Sequence, residues 1–268
     1  MFVDTHCHLN MMVKDQFDAV LSEENFNQIG QIIEKSKKVG VNKIINVGTS
    51  FHESLNSIEI AKRFESVFSV VGIHPCDCSQ DWQANLKKIE QLVENKNQNK
   101  IVGVGETGLD FYHKPYDKPR QLDAFKAHIE LSLEHNLPLV IHMRQATEEL
   151  LRTLEEYKKQ AKGVFHCFSE NIDIAQVVIE WGFYIGIDGH VTYSKNQFLR
   201  DVVQQVSVEN ILLETDAPFL PPQEFRGKQN SPEYIPLFAN LIADIKNISL
   251  KELAEITTNN AQELFDIG

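Results

Sequence analysis

Eight short β-branched runs, each followed by polar or glycine punctuation and a longer amphipathic segment, set the strongest limit on how this chain can fold. The runs are Phe2–His8, Lys43–Val47, Ser69–Ile73, Ile101–Gly105, Leu139–His142, Gly163–Cys167, Phe183–Ile187 and Ile211–Glu214. Between them, helical patterns cover Gln28–Val39, His52–Ser66, Asp81–Glu94, Pro119–Asn136, Ala146–Ala161, Ile172–Trp181 and Lys195–Val206. Two more follow at Glu233–Ile245 and Ser249–Leu264. Ser249 ahead of Glu252 reads as a capping box, and Gly40 and Gly182 sit where helices end. Strands alternating with helices imply a parallel sheet with the helices outside it. Eight such units in 268 residues match a closed (β/α)8 TIM barrel, whose usual length is about 250 residues. An open doubly wound sheet is the alternative, but no GxGxxG or GxxxxGK follows the first strand. The expected organisation is one barrel domain over 1–268, since no linker, repeat or low-complexity tract divides the chain.

Placed on those strands, the ligand-type residues gather on one side. His6 and His8 end the first strand, and period-two alternation points them the same way as Asp4. His74 follows the third strand, Glu106 the fourth; His142 ends the fifth, His166 lies near the end of the sixth, and Asp216 just past the eighth. All are at carboxyl ends of strands, the face on which β/α barrels build active sites. Two inward imidazoles side by side are costly to bury without a cation or carboxylate partner. Four imidazoles (His6, His8, His142, His166) and two carboxylates (Glu106, Asp216) are too many for one structural zinc and suit two adjacent divalent ions. The mixed nitrogen and oxygen set favours Zn or Mn, with Ni or Fe also fitting; Mg prefers sites richer in oxygen. Glu106 is the natural bridge, and Asp216 the group to orient or deprotonate a water. Asp4 and Glu214 are expected behind the ligands, orienting imidazoles, and Asp110 could do the same or hold a nucleotide.

The formal net charge of −12 argues against coating nucleic acid by bulk attraction, although a metal cluster would supply positive charge locally. MFVDTHCHLN lacks the regions of a signal peptide, and no apolar run reaches membrane-spanning length. Cys7, Cys76, Cys78 and Cys167 contain no CxxC and read as reduced thiols, so a cytoplasmic protein with no membrane partner is expected.

FVDTHCHL, GIHP (72–75), GETGLDFY (105–112), Gln121…Phe125…His128, IHMRQA (141–146), FHCFS (165–169), ETDAPFL (214–220) and RGKQNSP (226–232) together resemble the TatD-type metal-dependent deoxyribonucleases. Each motif alone is weak; the ordered set spans essentially the whole chain. The resemblance implies an amidohydrolase-like barrel with His6, His8, Glu106, His142, His166 and Asp216 as metal ligands, and His74 and Arg144 close to substrate. It further implies two divalent metal ions (Zn, Mn or Mg) and a DNA substrate cut at its phosphodiester bonds from a free 3′ end. Two departures concern loops: Phe225 precedes Arg226 where a His is common, and Asp188 and His190 occupy GIDGHVTYSKN (186–196), which leaves substrate contacts from both loops open.

Arg144, two residues beyond His142, faces a phosphate if its strand continues, or else pairs with Glu106 or Asp110. Arg226 and Lys228 offer phosphate contacts at the rim, while Phe111 and Tyr112 offer either base stacking or packing. The competing readings are a barrel hydrolase for a small amide, lactone or phosphoester, and a non-catalytic metal-binding scaffold.

Overall fold

The computed structural model describes residues 1–268 and shows eight strands paired in parallel in chain order. They are β1 (Phe2–Cys7), β2 (Val41–Val47), β3 (Val67–Val71), β4 (Ile101–Asp110), β5 (Leu139–Arg144), β6 (Gly163–Phe165), β7 (Phe183–Ile187) and β8 (Ile211–Leu213). The ring closes through a parallel bridge between Cys7 and Ala217. There Asp216 N donates to His6 O at 2.9 Å and His8 N donates to Ala217 O at 2.7 Å. The fold is the expected (β/α)8 barrel. Helices α1 (Leu9–Met12) and α2 (Glu23–Lys38) follow β1, and α3 (Phe51–Arg63) follows β2. Then come α4 (Trp82–Val93) and α5 (Lys96–Asn99), α6 (Lys118–His135), α7 (Thr147–Glu155), α8 (Ile172–Glu180) and α9 (Gln197–Gln205). After β8 the chain forms α10 (Ile235–Lys246) and α11 (Leu250–Phe265). No helix is long and apolar enough to cross a membrane.

Strand alternation divides the apolar residues into two cores. Along β5, Leu139 and Ile141 belong to the large outer cluster beneath the helices. Val140 joins an inner cluster with Val3, Ile45, Val47, Val70, Val164 and Leu212. Successive side chains point to opposite faces, so His142 continues the inner face that Val140 begins. Phe265 and Ile267 join the same inner cluster, while Thr258 donates to Met1 O and Lys43 Nζ donates to Ile267 O. These contacts lie at the amino ends of strands, so the C-terminal helix closes the barrel on the side away from the ligands.

Several boundaries differ from the sequence expectation. β4 does not stop at Gly105 but runs to Asp110, with its pairing to β5 shifted between Val104 and Thr107. Glu106 therefore lies inside a strand, at a break in register. Gly105 (φ +150°) and Gly108 (φ +142°) make this path possible; a Cβ at Gly108 would sit 2.0 Å from His142 O. β1, β6 and β8 end earlier than expected, so His8, His166 and Glu214 stand just beyond their strands. Helix α2 begins at Glu23, ahead of the expected Gln28, because Ser22 and Asn25 cap each other reciprocally. Helix α7 ends at Glu155, short of Ala161.

Helix α6 locks the barrel from outside. Its buried His128 donates from Nδ1 to Ala124 O at 2.7 Å, which leaves Nε2 to accept from Ile73 N at 3.0 Å. Burial holds this imidazole neutral, pushing it down from 6.5 to about 4. Because the folded value lies below the unfolded one, the unfolded chain takes up the proton first between those limits. The stability that His128 contributes is whole above pH 6.5 and drains as pH falls toward 4. In urea titrations across this window, His128→Gln should flatten the fall in stability by on the order of 3 kcal/mol relative to wild type. Equal slopes in the two proteins would refute the assignment.

Candidate metal centre

Six side chains carried on, or just past, five strands converge at the barrel mouth in two groups that share Glu106. In the first, His6 Nε2 and His8 Nε2 face each other at 3.1 Å. Glu106 Oε2 lies 3.5 and 3.6 Å from them, and Asp216 Oδ1 lies 3.6 and 3.5 Å from them. In the second, Glu106 Oε1 stands 3.0 Å from His142 Nδ1 and 2.8 Å from His166 Nε2, which are 3.2 Å apart. His74 Nε2 is 3.5 Å from the same oxygen. All six candidate ligands expected from the sequence are therefore brought together, and Glu106 spans the two groups through its separate oxygens.

The chemistry of these contacts fits divalent ions. His8 Nδ1 donates to Val47 O at 2.8 Å, which leaves Nε2 directed toward His6. Burial opposes charge on His8, but Asp216 and Glu106 outweigh it and raise it above its ordinary value, whereas burial and the neighbouring His166 push His6 down to about 4. A divalent ion held by both nitrogens would replace the proton between them and balance the two adjacent carboxylates. Donor atoms around a tetrahedral ion with bonds of about 2.1 Å lie about 3.4 Å apart. The first group spans 3.1 to 3.6 Å. Burial opposes the charge of Glu106, yet His166, His74 and His142 outweigh it and hold the carboxyl well below its ordinary range. The result is a buried carboxylate held ionised at neutral pH.

Second contacts fix the rings. Burial works against charging His142, but hydrogen bonds to Asp110 and Glu106 raise it to about 9. Its Nε2 donates to Asp110 Oδ2 at 3.0 Å, which turns Nδ1 toward Glu106 and His166. Gln121 on α6 grips the Asp110 backbone from both sides: Oε1 accepts from its N–H and Nε2 donates to its carbonyl. Asp110 thus does what was expected of it. Asp4 does not: both its oxygens bind Thr215, at the N–H and at Oγ1, and it orients no imidazole ring. Glu214 accepts from Cys167 N and lies 3.7 Å from His166 Nδ1.

A cleft of about 640 Å³ opens over the cluster, lined by His8, His74, Glu106, His142, Arg144, His166 and Asp216 together with Met11, Phe17 and Phe219. His74 Nδ1 accepts from Cys76 N at 3.1 Å, so its Nε2 carries the proton facing the cleft. Arg144 is the last residue of β5 and pairs with neither Glu106 nor Asp110; its guanidinium stacks on Tyr112 at 4.0 Å. Phe111 packs on Tyr116 instead of facing the cleft. Arg226 is displaced from its expected place. It stacks on Tyr193 and does not line the cleft, because the loop after β8 carries it outward. Sequence reasoning missed Phe17 and Phe219, half-exposed apolar rings at the rim, since nothing in their neighbours marks them as mouth residues.

A parallel barrel with clustered imidazoles and carboxylates at the carboxyl ends of its strands is the architecture of a metal-dependent hydrolase. This chain belongs to the TatD-related DNase family, whose sequence model matches residues 3–266. It is 34% identical over 269 residues to the uncharacterized metal-dependent hydrolase YabD of Bacillus subtilis, covering 100% of both chains. It is 32% identical over 266 residues to YcfH of Escherichia coli, another metal-dependent hydrolase, covering 99% of this chain and 96% of that one. The crystal structure of YjjV, a TatD homologue from Escherichia coli, superposes with a TM-score of 0.89 at 26% identity, covering 100% of this chain and 98% of that chain.

Because Asp110 sets the orientation of His142, Asp110→Ala should weaken metal binding about 10- to 100-fold. Competition against a chelator of known affinity measures this, and unchanged affinity would remove Asp110 from the centre.

Proposed function

We propose that this hydrolase cleaves phosphodiester bonds of DNA, removing nucleotides from a free 3′ end, with two divalent ions (Zn, Mn or Mg) held by His6, His8, Glu106, His142, His166 and Asp216. One observation carries the reading: the ligand cluster shares its cleft with Arg144, a guanidinium with no carboxylate partner. A fixed, unpaired guanidinium beside such a cluster suits a phosphate, whose oxygens accept its N–H groups in pairs. Membership of a family described as DNases supports the same substrate class.

Bound divalent ions polarise a phosphoryl oxygen and bring the acidity of water toward neutrality. The protein supplies the rest. Burial opposes ionisation of Asp216, but contacts with His8 and His6 outweigh it and keep the carboxyl below its ordinary range. It is therefore a base at neutral pH, and it takes the proton of the water whose oxygen attacks phosphorus. The bond from phosphorus to the 3′ oxygen of the preceding nucleotide breaks, and solvent protonates the departing oxygen. His74 donates from Nε2 to a non-bridging oxygen, and Arg144 holds another. Phe17 and Phe219 offer faces for the terminal base, since base–aromatic stacking is tolerant of sequence. A cleft of about 640 Å³ suits a chain end better than a run of duplex.

The test is a 5′-labelled single-stranded oligonucleotide incubated with metal-reconstituted protein. Stepwise shortening is expected, abolished by EDTA and by Glu106→Ala. Asp216→Asn should lose about 10²- to 10⁴-fold in rate, and Arg144→Ala about 10- to 100-fold in kcat/KM. Intact DNA with metal demonstrably bound would overturn the nuclease reading and favour a small amide, lactone or phosphoester.

A further inference from the structure

Given the nuclease reading of the cleft, on which this inference rests, we propose that Glu53 is a positioning residue for substrate. Buried on α3 and outside the cleft lining, it pins the segment between α1 and α2 so that Phe17 stands ready to stack on the terminal base. Residues 13–22 form neither helix nor strand, yet the segment is tied down on both sides of Phe17. On one side Lys14 Nζ donates to both oxygens of Glu53, at 2.5 and 2.7 Å. On the other, Asp18 N donates to Glu53 Oε1 at 2.5 Å, and Ser50 Oγ donates to Asp18 Oδ1 at 2.5 Å. The carbonyl of Ala19 accepts from Lys14 Nζ and from Asn56 Nδ2, at 3.2 and 2.9 Å.

The anchor is buried and ionised. Glu53 is fully buried, and the Lys14 side chain is 6% exposed. Burial opposes the charge of the carboxylate, but Lys14, Asn10 and the Asp18 N–H outweigh it and hold the carboxyl below its ordinary range. A buried ion pair adds little net stability, because desolvation offsets the attraction. What this one fixes is geometry. Lys14 and Asp18 both end on a single carboxylate, so the residues between them, Phe17 included, are confined. Phe17 is nonetheless half-exposed, and its ring lines the cleft together with Phe219. Apolar burial does not hold the ring there; the carboxylate does. A ring ordered in advance spares an arriving base the cost of immobilising a loop.

The test is exonuclease kinetics on single-stranded oligonucleotides that end in a normal 3′ nucleotide or in a 3′ nucleotide lacking its base. On the normal end Glu53→Ala should raise KM at least about fivefold, the lower limit of what a base–aromatic stack contributes, with kcat held within about twofold. On the abasic end there is no base to stack, and KM should stay within about twofold of wild type. Adding Phe17→Ala to Glu53→Ala should change KM less than about twofold further, because the two residues act as one unit. Should Glu53→Ala fail to fold by circular dichroism, Lys14→Met/Glu53→Leu, in which apolar side chains replace the ion pair, decides by the same readings. An unchanged KM on the normal end would overturn the positioning role, as would an equal rise on the abasic end or a full additional loss on adding Phe17→Ala. Wild-type protein that leaves both oligonucleotides intact is a separate failure, which removes the nuclease reading and the role of Glu53 with it.

Discussion

Five imidazoles surround one buried carboxylate in this protein, and the geometry of the barrel mouth follows from that arrangement. His6, His8, His74, His142 and His166 all place a ring nitrogen within 3.6 Å of a Glu106 oxygen. A lone buried carboxylate would shed its charge by taking up a proton. Here the imidazoles hold it ionised, and its two oxygens become the link between two groups of donors. Only a closed ring of strands brings donors from β1, β4, β5, β6 and the segment after β8 to one point. Glu106 reaches that point because it lies within the register break of β4 between Val104 and Thr107, next to glycines that allow the close approach of β5.

Around this centre the support runs outward in steps. His142 is held by Asp110, Asp110 by the side chain of Gln121, and Gln121 by its place on α6, whose His128 also caps the end of β3 beside His74. Each step uses a hydrogen bond of defined direction, so ring tautomers follow from carbonyls and carboxylates already in place. The same helix thus packs the outer core and, through Asp110, aims the imidazole of His142. Stability and site geometry are coupled through α6.

The mouth itself is mixed in character. Arg144 and the donor cluster form a polar floor, while Phe17 and Phe219 make an apolar edge. With a net charge of −12, the protein has no long-range attraction for a polyanion, and substrate binding must rest on these local contacts. For the nuclease activity we propose, that favours weak, sequence-tolerant engagement of a chain end over tight hold on a duplex.

By itself the sequence determined the barrel and which side chains gather at its mouth. Strand and helix periodicities differ, and eight alternations leave few topologies, so His6, His8, Glu106, His142, His166 and Asp216 could be placed at one end before any contact was known. Arg144 followed from strand parity. Its partner did not: stacking on Tyr112, where a carboxylate was the alternative, depends on how the loop after β4 folds back. Periodicity also failed at β4, where glycine, usually a strand breaker, allows an irregular strand to continue. The tertiary structure alone decided that Asp4 serves Thr215 and that Arg226 is carried away from the cleft. Those outcomes rest on contacts between loops distant in sequence, whose paths are set by packing and not by any local repeat.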